Sequence, residues 1–444
     1  ATAMEAPLEI DVTSEIGPLE GVLIHRPGRE IARMTQHQLD HLLFDDILSP
    51  VEAMREHHLM TEIIASSGAT PFPLVEVLQD GLERAAGRER RALIDEICTQ
   101  AEAPELAPII SEWPSPRLAR ALVEGLEWSE VDAPPMTLAR LRRTLFHTDQ
   151  LALAPIPNLM FMRDPCFVVH DRVVVGRMAT GARSREPLLV SFALTHTSGV
   201  AAPRLLFGGI DARRDAPHLR LEGGDVLVLS PQVVVIGCSQ RSSAHTVERF
   251  ARESLFDAFP EVQRVYCAFL PEQRSIMHLD TVMTQIDRHL FLGHEPLVRG
   301  DRAVAVARLE RDRPVQSLGP ATLLDVLRDE LGADVELVPC GGHDPVSQER
   351  EQWTDGANAV CLSPGKFVLY ARNVQTIQSL VELGFYQADL HVVQPPSQRA
   401  EIIAEGLTKP RCVFSFSGSE LSRARGGGRC LTMPLRRAPV GTPS

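Results

Sequence analysis

Lysine is nearly absent from this chain, since Lys366 and Lys409 are the only two among 444 residues and the other basic side chains are arginines. These arginines form no basic stripe along the sequence, and the formal net charge is −13 at pH 7. Nucleic-acid binding requires a positive surface that can neutralise phosphates. We therefore expect no nucleic-acid partner.

Long apolar segments and closely paired cysteines are missing as well. No apolar run approaches the roughly 18 residues that a membrane-spanning helix needs, and the N-terminus has no basic region followed by a hydrophobic one. The eight cysteines show no CxxC spacing, which is typical of zinc and redox sites, and several lie within apolar runs. We expect reduced thiols and a soluble, cytoplasmic protein without a membrane partner.

Three clusters of polar residues recur along the chain at equal spacing. As many positions separate Asp164 from Glu222 as separate Glu222 from Asp280, and each cluster is followed by two short β-rich runs with a turn between them. The paired runs are 167–169 with 173–175, 226–229 with 233–236, and 282–286 with 290–292. Equal spacing of such units indicates an internal repeat.

Two further segments extend this pattern. A fourth copy of the paired runs spans 360–370, after Gly356-Ala357-Asn358, and Val22-Leu23-Ile24 is a candidate for the start of a fifth. Helical periodicity fills the gaps at 244–259 and 321–331. We therefore predict an α/β fold of repeated modules, each with an apolar hairpin and a covering helix, in which the loops before the hairpins point to one centre.

The length of the chain indicates more than one structural unit, because it exceeds what a single hydrophobic core normally supports. Between residues 81 and 146 the β-rich runs disappear, and apolar residues recur at helical spacing. We predict a catalytic α/β domain formed by residues 1–75 and 147–444, with residues 76–146 inserted as a small helical bundle.

Near the end of the chain, Cys430 follows a glycine run in the sequence Arg425-Gly426-Gly427-Gly428-Arg429-Cys430. Nearby cations lower the pKa of a thiol, and glycines let a substrate approach the backbone closely. The pattern therefore favours Cys430 as a nucleophile. The alternative is a buried structural cysteine, since free cysteines often behave as small apolar side chains.

A thiol, a histidine and three carboxylates would make a site richer in negative charge than peptide hydrolysis requires, which indicates a cationic substrate. A planar guanidinium offers paired N–H donors that two carboxylates can accept. We therefore predict that Asp164 and Asp280 bind a guanidinium. His278, oriented by Glu222, would act as the acid and base. Cys430 would attack the central carbon and form a covalent thiouronium intermediate.

Each of these clusters also has a simpler interpretation. His278-Leu279-Asp280 could be a structural hydrogen-bonding pair or half of a metal site, to which His343-Asp344 would contribute. Glu222-Gly223-Gly224-Asp225 could be a tight turn with solvated acids, and Arg163-Asp164-Pro165 an ion-paired turn. No third or fourth ligand occurs at a metal-binding spacing, so we expect neither a metal nor an organic cofactor.

In combination, the clusters resemble those of the arginine deiminases, members of the guanidino-group modifying superfamily. The resemblance extends from about Leu19 to Arg437 and includes Leu23-Ile24-His25-Arg26-Pro27-Gly28, Leu43-Phe44-Asp45-Asp46, Arg350-Glu351-Gln352-Trp353-Thr354-Asp355-Gly356 and Gly418-Ser419-Glu420-Leu421. It implies a pseudo-fivefold α/β propeller of repeated ββαβ units with an inserted helical domain. It also implies hydrolysis of L-arginine to L-citrulline and ammonia by a homodimer or homotetramer.

The resemblance further implies which residues bind the substrate. Arg183 and Arg241 would bind the α-carboxylate, Asn158 and Phe161 would line the pocket, and Arg425 would cover it from a mobile loop. The chain departs from the family pattern at three positions. Met162 stands where many relatives have a small hydroxylated residue, and Ala424 stands where glycine is frequent. Arg429 stands at a position that is histidine in some members.

Other functions remain open at the level of sequence. Within the superfamily these are hydrolases of agmatine or of methylated arginine, and an amidinotransferase. Arg183 and Arg241 argue against agmatine, which has no carboxylate. Two alternatives belong to other classes. One is a metal hydrolase, and the other is a catalytically silent arginine-binding protein. Cys430 and His278 would be unnecessary in the silent binding protein.

Overall fold

The computed structural model describes residues 6–132, 136–146, 151–207 and 218–441, which have a mixed α/β fold. The strands are Leu19–Ile24, Thr70–Pro73, Leu126–Glu127, Leu151–Leu153, Cys166–Val169, Arg172–Val175, Arg204–Leu206, Val226–Ser230, Val233–Cys238, Arg264–Phe269, Met283–Asp287, Leu290–Gly293, Val306–Glu310, Gln316–Ser317, Glu336–Pro339, Val360–Ser363, Lys366–Tyr370, Tyr386–Leu390, Cys412–Phe416 and Thr432–Arg437. The α-helices are Arg29–Ala32, Leu39–Leu42, Pro50–Ser66, Leu74–Arg84, Gly87–Gln100, Ala107–Ile110, Ser115–Glu124, Leu138–Phe146, Glu186–His196, Ala244–Phe250, Phe256–Ala258, Glu295–Val298, Leu323–Leu331, Pro345–Trp353, Val374–Glu382 and Pro396–Thr408.

Five of the sheets in these ranges contain an antiparallel pair of strands and a third strand parallel to one of them. In one sheet, for example, Val226–Ser230 is antiparallel to Val233–Cys238, which is parallel to Arg264–Phe269. The paired strands are almost completely buried, so they read as continuous runs of valine, leucine and isoleucine. This explains why the sequence reveals the hairpins that follow Asp164, Glu222 and Asp280.

One of these sheets joins the two ends of the chain. Leu19–Ile24 is antiparallel to the last strand, Thr432–Arg437, and parallel to Thr70–Pro73. The backbone of Asp11 also hydrogen-bonds with Leu435 and Arg437. Because the last strand begins two residues after Cys430, this pairing brings the thiol close to the N-terminal segment.

The two predicted helices between hairpins are present with small differences. The first consists of Ala244–Phe250 and Phe256–Ala258, with a π-helical turn at Ala251–Leu255 between them. The second is Leu323–Leu331, where the side chain of Thr322 caps the N-terminus by accepting from the Asp325 amide. Among the residues described, no helix combines the length and the apolar character needed to cross a membrane.

In the part that the structure describes, the segment predicted as an insertion is mainly helical, with one short strand at Leu126–Glu127. Its helices Gly87–Gln100 and Ser115–Glu124 contribute apolar side chains to a cluster that also contains Val168 and Leu189, which lie outside residues 76–146. The segment therefore shares a continuous core with the neighbouring sheet. The predicted boundary between residues 146 and 147 falls at the edge of a described range, so the division into domains stays a prediction.

Candidate active site

Two of the polar clusters form short 3-10 helical turns, Gly223–Asp225 and Leu279–Thr281, each within one residue of the strand that follows. Hydrogen bonds connect these turns to each other and to the first cluster. The Gly223 amide donates to the Asp164 carbonyl over 3.0 Å, and the Leu279 amide donates to the Asp225 carboxylate over 2.9 Å. Clusters far apart in sequence therefore meet at one place.

His278 is buried among carboxylates. Its Nε2 lies 2.7 Å from Glu222 Oε2, and its Nδ1 lies 3.8 Å from Asp164 Oδ1. Burial alone would lower the pKa of His278, but Asp164 and Glu222 outweigh it and raise this pKa to about 9. The imidazole is therefore protonated at neutral pH and can act as an acid. Gly224 permits this packing, since a Cβ there would lie 2.6 Å from His278 Nδ1.

Glu222 is fully buried and has partners on several sides. Besides His278, Arg241 Nη1 lies 3.7 Å from Glu222 Oε2, and the Ala179 amide donates to Oε1 over 2.9 Å. Burial raises the pKa of Glu222, but Arg241 and His278 more than offset it and lower this pKa to about 2. Glu222 is thus an ionised carboxylate that orients the imidazole, and the interpretation of a turn with solvated acids is wrong.

Asp225 is a second buried carboxylate in the same turn, and sequence reasoning gives it no role. It accepts hydrogen bonds from the Leu279 amide over 2.9 Å and from Ser239 Oγ over 2.7 Å. Burial raises the pKa of Asp225 to about 7. Because Leu279 lies between His278 and Asp280, this hydrogen bond fixes the backbone that carries both side chains. The sequence signal that could have identified Asp225 was its place within the Glu222-Gly223-Gly224-Asp225 cluster.

Cys430 faces the carboxylate of Asp280, with Sγ 3.7 Å from Oδ2 and 3.9 Å from Oδ1. Its amide donates to Asn358 Oδ1 over 3.0 Å, and Asn358 Nδ2 donates to the Asp280 carbonyl over 3.0 Å. Asn358 precedes the fourth predicted hairpin, just as an acidic cluster precedes each of the first three. This shared position was the sequence signal for Asn358, which sequence reasoning leaves without a role.

The thiol is protonated at rest. Burial, followed by the charges of Asp280 and Asp164, raises the pKa of Cys430 well above its usual value. The expectation that adjacent arginines lower this pKa is wrong, because Arg429 is engaged by carboxylates. A cation bound between Asp164 and Asp280 would offset their charge and favour the thiolate.

Arg429 joins Asp280 to the N-terminal segment. Its side chain is the largest of those that are fully buried, and each of its guanidinium nitrogens has a hydrogen-bond acceptor. Nη1 donates to Asp280 Oδ2 over 2.9 Å, and Nε donates to Glu15 Oε2 over 3.0 Å. Glu15 belongs to no motif, so nothing in the sequence identifies it.

Arg183 is engaged by two buried acids. Nη1 donates to Asp164 Oδ2 over 2.6 Å, and Nε and Nη2 donate to the carboxylate of Glu186. Nη2 also donates to the backbone carbonyls of Asn158 and Phe161. Burial lowers the pKa of Arg183, but Glu186 and Asp164 outweigh it, so the guanidinium stays charged. To contact a substrate carboxylate, this side chain would have to exchange a partner.

Most of the candidate residues enclose one small cavity, which we call the inner cavity. Its lining includes Asn158, Phe161, Asp164, Arg183, Arg241, His278, Arg425 and Cys430. Glu222 and Asp280 do not line it, but they contact His278 and Cys430, which do. The inner cavity has a volume of about 20 Å³, which is room for roughly one water molecule. An amino-acid substrate could enter only after a lining residue moved.

Arg425 is one of four residues, with Leu43, Arg241 and Met277, that line both the inner cavity and a larger cavity outside. Its guanidinium lies 3.3 Å from the centre of the Trp353 ring, and Nη1 lies 3.8 Å from Asp45 Oδ2. The outer cavity has a volume of about 360 Å³ and is lined by Arg220, Arg241, Arg274 and Arg425, among others. A movement of Arg425 would open the inner cavity toward this arginine-rich entrance.

Among the residues described, Asp164, Glu222 and His278 could hold a metal ion, because their ligand atoms lie within 4.8 Å of one another. The guanidinium groups of Arg183 and Arg241 already neutralise the two carboxylates, and His278 is protonated, so a metal ion would meet positive charge. The second half of the suggested metal site is wrong, since Asp344 instead caps the helix Pro345–Trp353 by accepting from the Ser347 amide.

Comparisons with known proteins identify the family of this chain. The arginine deiminase family model matches residues 40–437. An arginine deiminase of Listeria innocua is 33% identical over 433 residues, covering 96% of this chain and 98% of its own length. One of Mycoplasma capricolum is 31% identical over 434 residues, covering 97% of both. Among solved structures, an amidinotransferase from Microseira wollei aligns with a TM-score of 0.49 and 12% identity, covering 98% of this chain and 99% of its own. The chain belongs to the arginine deiminase family.

Proposed function

We propose that this protein hydrolyses L-arginine to L-citrulline and ammonia with Cys430 as the nucleophile. The observation that carries the proposal is that the Cys430 thiol, the protonated imidazole of His278 and the carboxylate of Asp164 line the same inner cavity, while the buried carboxylate of Asp280 contacts the thiol. Family membership favours this reaction over hydrolysis of agmatine or methylated arginine, amidino transfer and silent binding.

Substrate binding would supply the cation that the thiol lacks. The guanidinium lies between Asp164 and Asp280, whose oxygens accept its N–H groups. Its positive charge offsets the two carboxylates that raise the pKa of Cys430. Because His278 is already protonated, the thiol then loses its proton to water, and the thiolate lies next to the electrophilic carbon. In this way the nucleophile is activated only when a guanidinium is present.

The first half of the reaction forms a covalent intermediate. The Cys430 thiolate attacks the central guanidinium carbon, and a C–S bond forms. His278 gives its proton to one terminal nitrogen, which leaves as ammonia with the electrons of the broken C–N bond. The product of this step is an S-alkylthiouronium on Cys430 and a neutral His278. Glu222, which is ionised, stabilises the imidazolium before the transfer and holds the ring in place.

The second half restores the enzyme. Neutral His278 takes a proton from a water molecule, whose oxygen attacks the thiouronium carbon. The C–S bond then breaks, and its electrons return to sulfur. The hydroxyl group gives its remaining proton to the thiolate, so that the urea carbonyl of citrulline forms and the Cys430 thiol is restored. The same imidazole therefore serves as acid in one step and as base in the next. Both steps use groups that already lie in one buried site.

The other end of the substrate would face the arginines. We assign its α-carboxylate to Arg183 and Arg241, with Asn158 and Phe161 lining the pocket and Arg425 closing it. The location of all five side chains at the inner cavity supports this assignment. The arginine-rich outer cavity adds support, because it gives the carboxylate end a favourable environment near the entrance.

The same resemblance leads to proposals about architecture. The pairing pattern of the five sheets supports a pseudo-fivefold propeller of ββαβ units, with residues 76–146 as an inserted helical bundle. Exposed leucines on the helix Leu138–Phe146 support a homo-oligomer, a dimer or a tetramer, because exposed apolar side chains often mark contacts between subunits. The eight cysteines are all buried and show no CxxC spacing, which supports a reducing, cytoplasmic location.

The deciding experiment measures citrulline and ammonia release from L-arginine, with agmatine in parallel and a chelator present throughout. Equimolar citrulline and ammonia from arginine, with ammonia release from agmatine at a much lower kcat/KM, is the expected result. Loss of activity in chelator, regained with added metal, would replace this mechanism with a metal-dependent one. Turnover of agmatine at a similar kcat/KM would remove the roles of Arg183 and Arg241.

A further inference from the structure

We propose that Glu15 is a positioning residue for Asp280: it holds the guanidinium of Arg429 so that Arg429 occupies only one oxygen of the Asp280 carboxylate and leaves the other for the substrate. The inference rests on the proposed function, in which Asp280 binds the guanidinium of arginine. It adds a residue far from Cys430 in sequence, located in the N-terminal segment that the terminal strand pairing brings back to the site.

The geometry at Arg429 is specific. Nε donates to Glu15 Oε2 over 3.0 Å, and Nη2 donates to Glu15 Oε1 over 3.2 Å and to the Val226 carbonyl over 2.7 Å. Only Nη1 is directed at Asp280, where it donates to Oδ2 over 2.9 Å. Glu15 therefore takes the side of the guanidinium that could otherwise form a second hydrogen bond with Asp280.

The consequence for Asp280 is an oxygen that remains available. Among the residues described, Oδ1 has the Cys430 thiol at 3.9 Å as its hydrogen-bonding neighbour, whereas Oδ2 also receives the N–H of Arg429. An arginine without Glu15 would be free to rotate and to bind both oxygens of Asp280. Asp280 would then be lost to the substrate, and an additional positive charge would approach the thiol.

Glu15 is itself held rigidly. Its Oε1 accepts from the Val228 amide over 3.0 Å, on the strand that follows the Glu222 turn. Burial raises the pKa of Glu15, but Arg429 and Arg163 outweigh it and lower this pKa to about 2. Glu15 is thus ionised at every pH at which the enzyme would work. A fixed anion can hold Arg429 in one orientation through the catalytic cycle.

The test compares Glu15→Gln with the wild-type chain. The amide still accepts one hydrogen bond from Arg429, which limits the damage to folding, but the paired, charged interaction is lost. We expect the KM for L-arginine to rise about tenfold or more, with a smaller change in kcat. We also expect Cys430 to become alkylated by iodoacetamide at lower pH, because Arg429 now offsets the charge of Asp280.

A matched control and a second variant separate positioning from folding. Glu20→Gln removes a carboxylate 2.6 Å from Arg436, also near the N-terminus but on the strand Leu19–Ile24, and leaves KM and the alkylation profile unchanged. Glu15→Gln combined with Arg429→Gln removes the cation that would occupy Asp280, so KM recovers toward that of the wild type. Glu15→Asp keeps the charge, so its KM should lie between those of the wild type and Glu15→Gln. All variants are compared at equal concentrations of folded protein, measured by circular dichroism, so that unfolded protein does not count.

The outcomes are distinct. An unchanged KM and alkylation profile in Glu15→Gln would overturn the proposal, and so would a rise in KM that the double variant does not reverse. The alkylation profile requires no turnover. If the wild-type chain releases no citrulline while Glu15→Gln still shifts the alkylation of Cys430 to lower pH, then the proposed reaction fails and the arrangement of Glu15, Arg429 and Asp280 stands.

Discussion

The guanidinium of Arg183 lies 2.6 Å from the carboxylate of Asp164, the group proposed to bind the guanidinium of the substrate. Arg183 thus occupies the place proposed for the guanidinium of the substrate, although its own proposed partner is the α-carboxylate of the substrate. An incoming α-carboxylate would draw Arg183 away and leave Asp164 free. The two ends of the substrate would then be recognised together.

Arg183→Lys tests this relationship. The ammonium keeps the charge of the buried cluster but cannot form the paired hydrogen bonds that a guanidinium makes with a carboxylate. We expect kcat/KM for L-arginine to fall about tenfold or more, and kcat/KM for agmatine to change little or to rise. Steady-state kinetics with both substrates measure the ratio. Arg204→Lys, at an exposed ion pair with Asp171, is the control. A parallel fall for both substrates would contradict the proposed exchange.

Cys430→Ala removes the nucleophile and should lower kcat by about 10³-fold or more, because no other group in the inner cavity can form the covalent intermediate. L-Arginine should still bind, since both carboxylates remain and the thiol no longer competes for space. Calorimetry measures the binding, and citrulline release measures the turnover. Cys361→Ala, at another buried cysteine whose thiol donates to backbone carbonyls, should keep its activity. Undiminished citrulline from Cys430→Ala would end the covalent mechanism.

Arg425→Ala should open the inner cavity. The residue borders both cavities, and the inner one has room for roughly one water molecule. Without its side chain, iodoacetamide should reach Cys430 faster at every pH, while KM for L-arginine should rise because the closed site no longer holds the substrate. Arg423→Ala, on the same loop but paired with Asp46 and Glu420 at the surface, is the matched control. Equal alkylation rates in the two variants would mean that another residue closes the cavity.

The sequence supports the fold well where the signal is local. Buried strands read as continuous apolar runs, so the hairpins after Glu222 and Asp280 could be located within a residue or two. The equal spacing of the polar clusters also indicated that they meet. Neither signal determines how the ends of the chain pair, because Leu19–Ile24 and Thr432–Arg437 are brought together only by the complete fold.

The site was predictable for residues within motifs and not for those that act across the fold. Glu15 is 414 positions from Arg429, and no pattern in the sequence links them. The state of the thiol was also beyond sequence, since it depends on which charges face Cys430. Arg429 is adjacent in the chain, yet its charge is directed at Glu15 and Asp280, while the carboxylates face the sulfur.

The pairing of His278 with Glu222 predicts how the rate depends on pH. The carboxylates raise the pKa of His278 to about 9, and the imidazolium is the acid that releases ammonia. kcat/KM should therefore fall as the pH rises through about 9. The sign for stability is the same: a raised folded-state pKa stabilises the fold below the ordinary value of 6.5, and this contribution is lost as the pH rises through about 9.

Glu222→Gln should move this transition to lower pH by about one unit, because a neutral amide stabilises the imidazolium less than a carboxylate 2.7 Å away. NMR titration of His278 in the Cys430→Ala background measures the pKa directly and needs no turnover. Glu261→Gln removes a carboxylate 3.2 Å from His170, at a buried histidine outside the site, and should leave the His278 titration unchanged. If Glu222→Gln left it unchanged too, Asp164 and Asp225 would hold the proton on His278, and Glu222 would only orient the ring.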